Sequence, residues 1–301
     1  VLKNYWVPAL IAGALGGALV PSQAFAWNDE GHRIVALIAD HYLEPAAKQK
    51  IDAMLSADTD PLTQHDIASE AVWADAVRGR DGKNSPAGRA AMDSWHALPN
   101  PLQHPDIDAA CKGHPALPKG TPASQGPAAC SLDKIDQFAA ELSSGTVSPA
   151  EKLLALKYLL NLVGDLHQPL YVSDNHDGGG DQLHVVGGGA DPGTLRHYWD
   201  ADFLDFLGDD PKAIADDLAD GIRQSKTFGK MSEGSPKDWA LEAFGVAKDH
   251  AYGKLPAKKP DGSYELPPDY VTDAIEAMRL QLARAGVRLA ALLNHAFAEK
   301  R

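Results

Sequence analysis

Residues 149–171 read PAEKLLALKYLLNLVGDLHQPLY. Proline suits the first turn of a helix, and Leu153, Leu156, Leu160 and Val163 recur at helical spacing. The stretch therefore predicts a strongly apolar helix from Pro149 that ends in Asn161, Asp165, His167 and Gln168. Outward from it, most of the chain has the same period. Ile34, Leu37, Ile38, His41 and Tyr42 mark one helix, and Pro45 opens the next. A third is expected over Asp66–Val77. A last one runs from about Pro268 to Ala298, with Val271, Ile275, Met278, Leu282, Ala285, Leu289 and Leu292 on one face. Only Gln182–Val186 suggests a strand, inside the glycine-rich segment 178–193. The expectation is one mainly α domain with loops at 99–130 and 173–195.

The first residues have a different character. Lys3 precedes an apolar run, Val7–Val20, and Ala24-Phe25-Ala26 follows it, the layout of a secretory signal peptide with a small-x-small cleavage site. Residues 1–26 are expected to be removed, leaving 27–301 as a single soluble domain that is secreted or periplasmic. The run is too short for a comfortable membrane span, and no second one follows. Cleavage after Ala26 would free the α-amine of Trp27. That amine and the Trp27 carbonyl can together chelate a metal, with His32 close by in sequence.

The formal net charge is -13. Such acidity excludes a basic surface that tracks phosphates, but it leaves room for a phosphodiester substrate if bound cations supply positive charge locally. Cys111 and Cys130 suit an oxidising compartment and enclose a segment rich in Pro, Gly and Ala. They are expected to form a disulfide that ties a poorly structured surface loop. A metal or redox pair is the alternative, though the spacing is not that of Cys-x-x-Cys.

Four clusters concentrate chemistry: Trp27 with His32; Trp73, Asp75 and Arg78; Trp95 and His96; and residues 161–171 with Arg196–Asp200 beyond. Carboxylates and imidazoles at helix ends are a set that zinc accepts. Taken together, Trp-x-x-x-Gly-His at 27–32, Trp-Ala-Asp-x-x-Arg at 73–78, Gly-Asp-Leu-His-Gln-Pro-Leu at 164–170 and Trp-Asp at 199–200 resemble the secreted three-zinc, single-strand-preferring nucleases. This is the nuclease S-one/P-one family, which shares a helical fold with zinc-dependent phospholipase C. The likeness extends to Ala285–Ala290 and Asn294 in the last helix.

The resemblance implies a ligand set. One zinc would take the amine and carbonyl of Trp27, His32 and Asp165, and a second Asp75, His96 and Asp165, so that Asp165 bridges the two. Asp75, Arg78 and Asp165 are then the catalytic residues. Paired cations acidify a water for attack on phosphorus, and the planar fork of Arg78 suits phosphate oxygens. Asp200 would serve a third zinc.

Three positions depart from the family, each at a metal ligand. Asn161, Tyr171 and Arg196 stand where the family has histidine, and Asp181 replaces its usual asparagine. The first zinc keeps its whole set of protein ligands, the second loses an imidazole, and the third retains one carboxylate. Arg196 is expected to compete with a metal for Asp200, or to offer its own charge to phosphate. His176, His184 and His197 are the candidates for compensation. Ala97 follows His96 where the family often has a bulky residue that stacks on the base. One to two zincs are expected, with single-stranded DNA and RNA as substrate and weakened phosphodiesterase activity. Two other readings remain: a zinc phospholipase C-like phosphodiesterase, and a non-catalytic relative that binds nucleotide or metal. No protein partner is implied.

Overall fold

The computed structural model describes residues 27–81, 94–127 and 129–298. The expected leader, 1–26, lies outside these residues. Helix α1 (Asp29–Tyr42) starts where the Asn28 side chain accepts a hydrogen bond from Gly31 N, with Asp29 and Glu30 in the first turn complementing the helix dipole. α2 (Pro45–Ser56) follows, opened by its proline. α3 (Ile67–Glu70) and α4 (Trp73–Asp81) come next. α5 is Ser131–Ser143 and α6 is Pro149–Leu166, capped by Ser148 Oγ accepting from Glu151 N. α7 (Pro211–Ser225), α8 (Pro236–Val246) and the long α9 (Pro268–Phe297) complete the main helices. The fold is mainly α, as the periodicity predicts.

The core forms where α1 packs on α9 and α7, and α5 on α6. Ile34, Ile38, Leu282 and Leu289 are fully buried there, each worth roughly 1.5–3 kcal/mol against exposure. In α6 every residue from Ala155 to Leu166 is buried. Lys157, Asn161 and Asp165 lie four apart along it and so form one polar stripe inside the protein. Buried polar groups must find partners or ligands, which makes this stripe the scaffold of the site.

Three expectations change in the structure. The helix expected over Asp66–Val77 is broken at Ala71–Val72 into α3 and α4, because Asp66 caps a single short turn before the chain redirects. The strand expected at Gln182–Val186 is β1 (His184–Gly187), the middle of a three-stranded sheet. It pairs antiparallel with β2 (Gly193–Thr194) and parallel with β3 (Tyr264–Leu266). The segment bearing the cysteines is also better built than a poorly structured surface loop. Cys111 and Cys130 form the expected disulfide, and both are buried. Inside the loop they close, Ala123 O accepts from the buried Lys134 Nζ at 2.6 Å, Ala123 N donates to Glu141, and Ser124 donates to Glu151. No described helix is long and apolar enough to cross a membrane.

Candidate metal centre and phosphate site

Four side chains from separate elements meet around Asp165. His32 comes from the first turn of α1, Asp75 from the first turn of α4, His96 from a helical turn at 94–96, and Asp165 from the last turn of α6. His96 Nδ1 donates to Asp165 Oδ2 at 2.6 Å, and His32 Nε2 lies 3.3 Å from Asp165 Oδ1 and 3.5 Å from Asp75 Oδ2. Asp165 is wholly buried and Asp75 nearly so. Burial alone would raise the Asp165 pKa, but His96 and His32 together bring it down to about 2. Burial would likewise lower that of His32, and Asp165 and Asp75 more than reverse the effect. Two buried carboxylates thus create a strong local demand for positive charge.

Trp27 is anchored against this group. Its side chain is fully buried, its indole Nε1 donates to Gly164 O at 3.0 Å, and the next residue's amide, Asn28 N, donates to Asp200 O at 3.0 Å. Gly164 has no side chain for good reason: a Cβ there would lie 2.9 Å from His32 Nδ1. Arg78, one turn beyond Asp75, places NH2 3.3 Å from Asp75 Oδ1 and is buried.

The residues present fit a metal at Asp75 and Asp165. Asn161 Oδ1 is a buried oxygen with no hydrogen-bond partner, and beside it Asp75 Oδ1 and Asp165 Oδ1 accept no well-formed hydrogen bond, each meeting an ion-pair partner at 3.3 Å. Orphaned buried acceptors of this kind are costly unless something cationic satisfies them. Asn161 takes a structural part as well, donating from Nδ2 to Asp75 Oδ2 at 2.8 Å and to Ala71 O at 2.9 Å. Its amide oxygen is the one donor it can offer a metal.

Around Asp200 the residues do not fit a metal. Asp200 is buried and its Oδ1 accepts from Gln168 Nε2. Burial pushes its pKa well above the usual carboxylate range, against the pull of the nearby Arg196. Arg196 does not bond to Asp200 as expected. Its Nε lies 3.4 Å from Asp181 Oδ1, its NH2 donates to Gly178 O, and its guanidinium sits 4.7 Å from the centre of the Tyr171 ring. Tyr171 lies in the turn Pro169–Tyr171, and its carbonyl accepts from Leu98 N at 2.7 Å, two residues beyond His96. His176, His184 and His197 are exposed, with His197 Nε2 3.4 Å from Asp202, so none turns inward to compensate. Ala97 is half-buried.

Other residues of the sequence motifs have structural work. His167 is buried, donates from Nδ1 to Val163 O at 2.7 Å and accepts from Arg288 NH1 at 2.9 Å. Burial and the Arg288 charge push its pKa down to about 3, so it stays neutral. Sequence reasoning missed Lys157, whose buried ammonium pairs with Asp58 and with Glu70 at 3.2 Å and lies 4.2 Å from the centre of the Trp73 ring. Its signal was the four-residue spacing with Asn161 and Asp165. Two other groups among the described residues have ligand atoms close enough to share a cation, and in one of them, Asp58, His65 and Glu70, this ammonium already pairs with both carboxylates. The remaining one includes Cys111 and Cys130, whose sulfurs are joined to each other.

Known proteins are similar in sequence to most of the described chain. The S1/P1 Nuclease family model matches residues 27–298. Endonuclease 2 of Arabidopsis thaliana is 26% identical over 289 residues, covering 90% of this chain and 90% of the relative. Nuclease P1 of Penicillium citrinum is 24% identical over 283 residues, covering 89% of this chain and 97% of the relative. Nuclease S1 of Aspergillus oryzae is 26% identical over 196 residues, covering 64% of this chain and 60% of the relative. With its fold, its buried carboxylate–imidazole cluster and a family match from Trp27 onward, the chain belongs to the S1/P1 nuclease family.

Proposed function

We propose that this protein is a secreted, zinc-dependent nuclease that hydrolyses phosphodiester bonds of single-stranded DNA and RNA, with one or two zincs in place of three. The observation that carries this reading is the cluster of two buried carboxylates, Asp75 and Asp165, with the orphaned Asn161 oxygen, His32 and His96 around them. Trp27, His32 and Asp165 would hold one zinc, and Asp75, His96 and Asp165 a second, weaker one aided by Asn161. Zinc supplies Lewis acidity and a water made acidic enough to act near neutral pH.

The chain's own residues do the remaining work. Asp165 ties both imidazoles to one carboxylate and fixes their orientation. Arg78, steadied by Asp75, is positioned to bind a phosphate oxygen. The chain's acidity makes nucleic-acid binding depend on these local cations, because its surface charge repels the backbone. Secretion agrees with the Cys111–Cys130 disulfide and with the need for a free Trp27 amine.

The test compares two proteins, one beginning at Trp27 and one carrying a single extra residue before it. Zinc per chain is read by mass spectrometry, and cleavage on single-stranded and duplex oligonucleotides. The chain beginning at Trp27 should hold one to two zincs and prefer single strands, and the extended chain should lose zinc and activity. Equal zinc content in both would remove the Trp27 amine from the site. Zinc binding without cleavage would leave a non-catalytic relative.

A further inference from the structure

Tyr171 is buried to 3% exposure, yet its hydroxyl has no hydrogen-bond partner. A buried tyrosine normally satisfies its O–H, so this one is aimed at something that binds. The guanidinium of Arg196 lies beside it, 4.7 Å from the centre of its ring.

Arg196 is held in place from behind. Gly178, Gly179 and Gly180 all have positive φ, at 69°, 64° and 90°, and form a seat whose carbonyl at Gly178 accepts from the guanidinium. Any side chain at Gly179 would overlap that guanidinium. Asp181 adds a carboxylate 3.4 Å from Nε. The seat restrains the guanidinium before any ligand arrives, which lowers the entropic cost of binding.

This donor set contains a phenol O–H and a guanidinium. At Tyr171 and Arg196 no imidazole lone pair is left to hold a metal, and the Asp200 carboxylate beside them already accepts from Gln168. Hydrogen-bond donors and fixed positive charge around one point suit a tetrahedral oxyanion. We propose that Tyr171 Oη and Arg196 form a phosphate subsite built wholly from protein donors, which holds a phosphoryl oxygen of the substrate where the family has a third zinc. This rests on the nuclease reading for the source of the phosphate, whereas the subsite itself requires only a phosphate group. The subsite needs no metal to work.

The experiment uses the full chain beginning at Trp27, stripped of metal with a chelator, and titrates inorganic phosphate calorimetrically. Phosphate should bind the stripped protein. Tyr171→Phe, which keeps the ring stacked on Arg196, should weaken binding about tenfold, and Arg196→Gln at least as much. Circular dichroism checks that each variant is folded, and Tyr171→Phe decides alone if Arg196→Gln is not. Absence of phosphate binding, or binding unchanged by Tyr171→Phe, overturns the subsite. The zinc-loaded parent assayed on single-stranded DNA separates the two readings. Cleavage with phosphate binding insensitive to these variants leaves the nuclease and removes the subsite; sensitive binding without cleavage does the reverse.

Discussion

Arg196 Nε lies 3.4 Å from Asp181 Oδ1, and both residues are departures from the family's pattern. The arginine brings a positive charge to a place where the family has an imidazole. The aspartate, where the family has an amide, returns a negative one. The two changes make electrostatic sense only as a pair, because a guanidinium this enclosed needs a nearby carboxylate.

This pairing predicts how the lost site can be rebuilt. Tyr171→His and Arg196→His together should add about one zinc per chain by mass spectrometry, because they restore two imidazoles beside Asp200. Either change alone should add none, since each leaves the position open. Asn161→His should instead tighten the zinc expected at Asp75 and His96. Additive gains from the two single substitutions at 171 and 196 would contradict a shared site.

Asp165 and Asp200 should differ sharply in importance. Asp165→Asn removes the carboxylate between His32 and His96 and should lower hydrolysis by more than roughly a hundredfold, the upper end for loss of an outer-shell partner. Asp200→Asn keeps an oxygen for Gln168 to bond and should lower activity far less. Equal losses in a single-strand cleavage assay would mean that Asp200 still serves a metal.

Gly164→Ala should be read most clearly in metal content. Alanine favours the helix by about 1 kcal/mol, but its Cβ would sit 2.9 Å from His32 Nδ1 and 3.7 Å from the Trp27 ring. We expect a folded protein, with a melting temperature within a few degrees of the parent, that has lost most of its zinc. Unchanged zinc content would show that His32 can shift without leaving the metal.

Lys134 gives a pH signature away from the metal centre. Burial pushes its pKa down to about 8 from 10.5, against the pull of Glu141 and neighbouring acids. Between these values the unfolded chain binds the extra proton, so the parent gains stability as pH rises from 8 to 10.5. Relative to Lys134→Met, the gain should be about 3 kcal/mol over that interval. Paired urea titrations at pH 8 and pH 10 check it, and a flat difference would mean that the lysine titrates normally.

Helices with a proline at the first turn and a clear apolar period were legible without coordinates, and α6 and α9 match their expected spans closely. The break between α3 and α4 was not, since the apolar spacing continues across the turn. β1 was legible near its place, but β2 and β3 are too short for a period of two to register, and β1 finds its parallel partner far along the chain at Tyr264–Leu266. At the site, His32, Asp75, His96 and Asp165 gather as the motifs suggested. Arg196 precedes Asp200 by four residues, the spacing of α-helical neighbours, yet its ion pair is with Asp181. Residues 198–202 are instead π-helical, which alters that phase.

Lys157 has a consequence for how the protein meets its metals. A lysine ammonium, tied to Asp58 and Glu70 and covered by Trp73, sits one turn from Asn161 and two from Asp165 on the same helix. The helix is therefore moored by its own ammonium, with no metal called on to hold it in place. A chain emptied by a chelator should keep its shape and take zinc back on return, ready to be loaded wherever the metal first becomes abundant.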